Sequence, residues 1–150
     1  SIVASVCADT WSTEIGTLFK TKTIDILSLK EINPGISGGI SLPGILASIA
    51  GAVVIAVTSL PWLGSNFQIN FLILTLAGFT GSIADSMFGS SIQARYKCVV
   101  CKNITESKTH CSRNAILIKG TEFINNDAVN FGAGVSGGVF SFFLSYVIKG

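Results

Sequence analysis

Val6-Cys-Ala-Asp9-Thr10-Trp-Ser-Thr-Glu14-Ile-Gly16 sets two carboxylates and two threonines inside an otherwise apolar segment, Ser1 to Phe19, with no lysine or arginine before Lys20. A soluble surface helix carries charge along its outer face, and this segment does not. In a bilayer each carboxylate is costly to place, so Asp9 and Glu14 there call for a functional explanation. The whole composition points the same way. Charged residues make up 12% of the 150, against about 25% in ordinary globular chains. The mean hydropathy of +0.63 excludes an ordinary soluble globule. A net charge of +2 gives no ground for a nucleic-acid partner.

Outward from that stretch, Lys20, Lys22 and Lys30 mark a polar connection that closes at Asn33-Pro34-Gly35. The run from Ile36 to Leu60 holds no charge and is long enough to span a bilayer. Its Gly44, Ser48 and Ala52 sit four apart and let a neighbouring helix approach closely. A third segment, Ile69 to Ser91, places Gly78, Gly81, Asp85 and Gly89 on one narrow face. A polar loop from Ile92 to Glu122 follows, and a last segment runs from Phe123 to Ile148. The expected fold is an all-α, multi-pass transmembrane helical bundle forming one membrane domain over residues 1–150, with spans near 1–19, 36–60, 69–91 and 123–148. The chain is expected to be a fragment lacking earlier helices. Loops 20–35 and 92–122 hold nine of the ten basic residues, so both are expected in the cytoplasm.

That topology brings the unusual residues to one membrane face. Glu14 ends the first segment there, Gly38-Gly39 opens the second, Asp85 ends the third and Asp127 opens the fourth. Asp9 lies about 7.5 Å deeper than Glu14 on a helix. Carboxylates gathered in an apolar surround call for a cation, and Mg²⁺ favours carboxylate oxygens and bridges them to phosphates. Asp9, Asp85 and Asp127 are the expected ligands, with Glu14 a fourth ligand or a neighbour of them. The glycines of Pro34-Gly35-Ile-Ser37-Gly38-Gly39 let backbone N–H groups approach an anion, and Lys30 or Lys20 offers a neutralising charge. This set suits phosphoryl or nucleotidyl transfer. Each member has a plainer reading too: Asp127 as an acid in a first helical turn, the glycines as packing contacts, and Glu14 as a solvated interfacial group. Gly134-Val-Ser-Gly137-Gly138 reads as packing or a trace of repetition. Cys98, Cys101, His110 and Cys111 form a candidate structural zinc site, with redox chemistry and unpaired thiols as alternatives. Adjacent His110 and Cys111 are tight for one metal.

Ala8-Asp9-Thr10-Trp11-Ser-Thr-Glu14-Ile-Gly16, Pro34-Gly35-Ile-Ser-Gly38-Gly39-Ile-Ser41, Gly81-Ser-Ile-Ala-Asp85-Ser86-Met-Phe-Gly89-Ser-Ser-Ile-Gln93 and Asn126-Asp127-Ala-Val-Asn130 occur in this order. The set resembles the phytyl-phosphate kinase and transmembrane protein 19 family of integral membrane proteins, distantly similar to CTP-using polyprenol kinases and CDP-diacylglycerol synthases. The resemblance implies a membrane-bound, Mg²⁺-dependent kinase that moves a phosphoryl group from CTP to a prenyl (phytyl-like) monophosphate, giving the diphosphate. Asp9, Glu14, Asp85 and Asp127 are then the expected catalytic residues, and Gly35, Ser37, Gly38, Gly39, Asn126 and Asn130 the expected nucleotide contacts. The prenyl tail is expected between the small-residue helix faces. CTP, the prenyl phosphate and the bilayer are the expected partners, with a second copy of the chain as a candidate. The cysteine loop carries no function over from the family. The alternatives are a cation-coupled transporter, a non-catalytic membrane protein and a cytidylyltransferase forming a CDP-lipid.

Overall fold

The structure, a computed structural model, describes residues 1–19 and 21–149. Four helices dominate it: α1 (Ile2–Leu18), α2 (Leu42–Thr58), α3 (Phe67–Ser91) and α4 (Asn126–Lys149). The expected all-α description needs amending, because both polar connections contain strands. After α1, β1 (Ile24–Asp25) pairs antiparallel with β2 (Gly39–Ile40). After α3, β3 (Arg95–Lys97) lies between β4 (Ile104–Thr105) and β7 (Ile116–Lys119). A hairpin of β5 (Thr109–His110) and β6 (Arg113–Asn114) projects from the same region. The physical reason is backbone satisfaction: a long connection that is partly buried must pair its N–H and C=O groups, and short antiparallel ladders do so. Arg95 and Tyr96 of β3 and the following Cys98 are buried, while Lys97 between them is exposed.

The second helix begins at Leu42, six residues later than the apolar run suggests. Ser41 is its N-cap, accepting the Gly44 N–H at 3.3 Å, and Pro43 sits in the first turn. Residues 36–40 are thereby released to the glycine turn and β2. At 17 residues, α2 reaches only about 25 Å, short of the ~30 Å hydrocarbon core. α1 covers 17 residues of the given sequence. Of the four expected spans, α3 and the 23 residues Asn126–Ile148 of α4 are long and apolar enough to cross.

Packing is inverted relative to a soluble bundle. Ala4, Ala8, Ala52, Ala56 and Ala77 are fully buried, while Phe131, Phe142, Phe143 and Tyr146 on α4 face outward. Large apolar groups outside and small ones inside suit helices that meet in lipid, where close backbone approach replaces hydrophobic burial. The glycine face of α3 does this work along its length. A Cβ on Gly78 would lie 2.8 Å from that of Ala52. A Cβ on Gly81 of α3 or Gly137 of α4 would overlap the Ser5 side chain of α1. The Ser5 hydroxyl donates to the Ala77 carbonyl at 3.2 Å, tying α1 to α3. These small-residue faces pack closely against one another around Gly78, Gly81 and Gly137.

Gly137→Val should therefore destabilise the fold by about 1–3 kcal/mol or more through overpacking. Gly132→Ala, whose Cβ would meet only the Phe88 ring at 3.4 Å, should be neutral or stabilising. Thermal unfolding in detergent distinguishes the two.

Candidate functional site

A cavity of about 380 Å³ opens at the end of the bundle where α1 and α3 finish and α2 and α4 begin. The chain reverses direction at each connection, so residues distant in sequence meet there. Asp9 and Glu14 from α1 line it, with Gly35, Ser37 and Gly39 from the turn, Asp85 from α3, and Asn126 and Asn130 from α4. Asn126 and Asn130 are four apart on one helix face. Asp127 is about 100° round the helix from Asn126; it is exposed and does not line the cavity. Gly38 also stands outside the lining: its φ of +82° and its backbone pressed on Ser90 make it a close-packing position, where a Cβ would lie 2.6 Å from Ser90 N. Lys30 is exposed and away from the cavity, and Lys20 lies outside the described residues.

The acidic groups are close together. Asp9 and Asp85 interact through their carboxyls, with Ser82 beside Asp9 and the charge of Glu106 acting on Asp85. Oδ1 of Asp85 is buried and has no hydrogen-bond partner among the described residues. Glu106 has no counterpart in the motif reading. It sits between β4 and β5 and reaches back to the turn. Its Oε1 accepts the Ser37 N–H at 2.9 Å, and its Oε2 accepts from Gln93 Nε2 at 2.9 Å. A carboxylate thus occupies one anion position of the turn. No local pattern marks Glu106, because only the β3–β4 connection brings it over the cavity.

The turn itself is held by a buried ion pair. Arg95 Nη2 lies 3.4 Å from Asp25 Oδ2 and also donates to the carbonyls of Gly89 and Ser37. Asp25 Oδ1 accepts from the Ser28 N–H at 2.9 Å and the Ser90 hydroxyl at 2.7 Å. Burial alone raises the Asp25 carboxyl, but the donors from Ser28, Ser90 and Arg95 outweigh it and hold the group well below the carboxylate range. The motif reading missed both residues. The available signal is an acid alone among apolar neighbours, Ile24-Asp25-Ile26-Leu27.

A second cluster lies on the same connection. One ligand atom from each of Cys98, Cys101, His110 and Cys111 falls within 4.8 Å of all the others. His110 Nδ1 is 3.5 Å from Cys101 Sγ and 3.2 Å from Cys111 Sγ. The Cys98 thiol is lowered to about 6, first by the Cys101 backbone N–H and then by that of Val100, against burial. Cys111 is raised to about 11 by the neighbouring Cys101 thiol and by burial.

Small-residue helices under an outward apolar surface, closed at one end by an acidic cavity, define an integral membrane protein with a polar end site. Residues 1–138 match the family described as Integral membrane protein DUF92, and the chain belongs to that family. This agrees with the family resemblance that the four motifs carry. Among curated relatives, Protein PGR of Arabidopsis thaliana is 29% identical over 133 residues, 82% of this chain and 45% of its own length. Uncharacterized membrane protein MJ0933 of Methanocaldococcus jannaschii is 30% identical over 95 residues, 63% of this chain and 39% of its own. The chain therefore spans less than half the length of either relative. No solved structure matches.

Removing either partner of the buried pair, by Asp25→Asn or Arg95→Met, should cost about 3–5 kcal/mol of stability. Asp25 is held below its ordinary 3.8, so in acid the unfolded chain binds the proton first. Its contribution should be full above that value and fade as pH falls toward the folded one. The stability gap between wild type and Asp25→Asn, followed by thermal melting in detergent, should close in that window.

Proposed function

We propose that the end cavity binds Mg²⁺ and a nucleoside triphosphate, CTP in the first instance, and passes the terminal phosphoryl group to a prenyl monophosphate. The observation that carries this reading is the lining. Asp9, Glu14, Asp85 and Glu106 contribute four carboxylates, and no lysine or arginine joins them among the described residues. A triphosphate cannot enter so acidic a cavity without a cation. The unpartnered, buried Asp85 Oδ1 fits that requirement. Asp9 and Asp85 would hold the ion, whose charge offsets both the carboxylates and the phosphate oxygens.

The chain's own groups then position the reactants. Asn126 and Asn130 offer amide donors to phosphate oxygens from the start of α4. Gly35, at φ +83°, lets the turn approach the nucleotide without a side chain between them. Glu106 holds the Ser37 N–H and so fixes the turn's height above the acids. In the reaction a prenyl phosphate oxygen bonds to the terminal phosphorus while the bond to the bridging oxygen breaks, releasing CDP. The attacking oxygen is already an anion, so no general base is needed and catalysis is positioning with charge stabilisation. A smaller cavity of about 20 Å³ shares Asp9, Asp85 and Asn130 and runs along Val6 and Gly134 between α1 and α4. That seam is the proposed path of the prenyl tail.

In this reading the helices form a multi-pass membrane domain, and the cavity faces the cytoplasm with the two basic connections around it. The acidic lining, with no lysine or arginine among the described residues, also supports a second reading, a cation-coupled transporter.

The test is turnover by the full-length protein in liposomes with CTP, Mg²⁺ and prenyl monophosphates. CDP and prenyl diphosphate should form, and Asp9→Asn and Asp85→Asn should each lower the rate by about 10²-fold or more. Glu106→Gln should raise the Mg²⁺ concentration needed by about tenfold or more. Pyrophosphate instead of CDP would indicate cytidylyl transfer. Cation uptake without CTP turnover would establish the transporter.

A further inference from the structure

We propose that Cys98, Cys101, His110 and Cys111 bind one zinc ion, which clamps the segment carrying Glu106 against the cavity. The sequence alone makes this set awkward, since neighbouring residues on a strand point to opposite faces. The fold resolves the difficulty locally. Cys111 and Ser112 take left-handed φ values of 52° and 56°, so the chain reverses between β5 and β6 and the Cys111 thiol swings to the side of His110. Across from them, Cys98-Val-Val-Cys101 forms a tight turn closed by Lys102 N–H to Cys98 C=O at 3.1 Å, with Lys102 at φ 62°. The Val100 N–H points at Cys98 Sγ at 3.4 Å, the kind of contact that supports a thiolate.

Distances and donors suit zinc. Tetrahedral zinc, with bonds of about 2.3 Å to sulfur and 2.0–2.1 Å to nitrogen, places its ligand atoms roughly 3.5–3.8 Å apart. The His110 Nδ1 to sulfur distances of 3.2 and 3.5 Å lie close to this range. Three cysteines and a histidine form a closed set with no open position, the mark of a structural rather than a catalytic zinc site. All three thiols are free. Binding replaces their protons with the metal and releases those protons to solvent.

The consequence for the cavity follows from connectivity. Glu106 lies between the two half-sites, five residues after Cys101 and four before His110. Its neighbours form only two-residue strands, β4 and β5, which hold little by themselves. Closing both ends on one ion fixes the reach of Glu106 to the Ser37 N–H. This clamp rests on the cavity reading only for its catalytic meaning; the zinc site stands apart from it.

Metal analysis of the purified full-length protein should give about one zinc per chain. Cys101→Ser and Cys111→Ser should each lose it, and Cys7→Ser should keep it. Cobalt in place of zinc should give the intense visible bands of a tetrahedral thiolate site. Wild type that retains no zinc after loading and desalting, or a six-coordinate cobalt spectrum, would overturn the site. If the ligand variants fail to fold, the wild type decides. Chelation should expose buried Cys98 to a thiol reagent and the 98–122 segment to protease, and added zinc should reverse both. Unchanged accessibility would refute the clamp. None of these readouts depends on nucleotide turnover, so failure of the zinc site and failure of the proposed reaction are separable.

Discussion

The guanidinium of Arg95 closes against the carboxylate of Asp25, and most of what surrounds the cavity depends on that contact. It joins three stretches that the chain keeps far apart: the connection after α1, the end of α3 and the first strand beyond it. A buried ion pair is favourable only when its remaining hydrogen-bonding capacity is filled. Here Ser28 and Ser90 complete Asp25, while the carbonyls of Gly89 and Ser37 take up Arg95. Through Ser37 the pair sets where the glycine turn lies. Through Gly89 it sets that turn against the last residues of α3, where a Cβ would meet Gly38 N at 2.9 Å.

A second constraint comes from the helices. Because alanine, glycine and serine fill the interior, backbones come near enough for Ser5 to fit between Gly81 and Gly137. Such a bundle has little apolar volume to spare between its helices, and the 380 Å³ cavity falls at an end, where irregular backbone replaces helix. The polar lining follows from the same geometry. Glu14 on α1 and Asp85 on α3 lie in the last two turns of those helices, where connecting segments can bring them partners, while Asp9 lines the cavity from the middle of α1.

Those segments divide the work. The connection after α1 supplies the turn, and the one after α3 supplies Glu106 to hold it. The β3–β4–β7 sheet anchors that second connection, with Tyr96 and Cys98 turned inward. The cysteine and histidine cluster joins the turn after β3 to the β5–β6 hairpin, so a metal there would crosslink two short paired segments of this connection.

Much of this was legible in the residues alone. The apolar segments, the small-residue stripe on α3 and the gathering of Asp9, Glu14, Asp85 and the glycine turn at one end all follow from periodicity and from a chain that reverses at each connection. Asn126 and Asn130 reach that end for the same reason. Helical spacing could not by itself decide whether Asp127 or Asn126 faces inward, since a rotation of the whole helix exchanges them. The start of α2 depended on a cap at Ser41, which an uninterrupted apolar run conceals. Asp25, Arg95 and Glu106 required the tertiary structure, because each owes its place to a partner dozens of residues away or across a turn. Local sequence determines which face of a helix is small or polar. Only the folded connections determine which isolated charge is buried, and what it meets there.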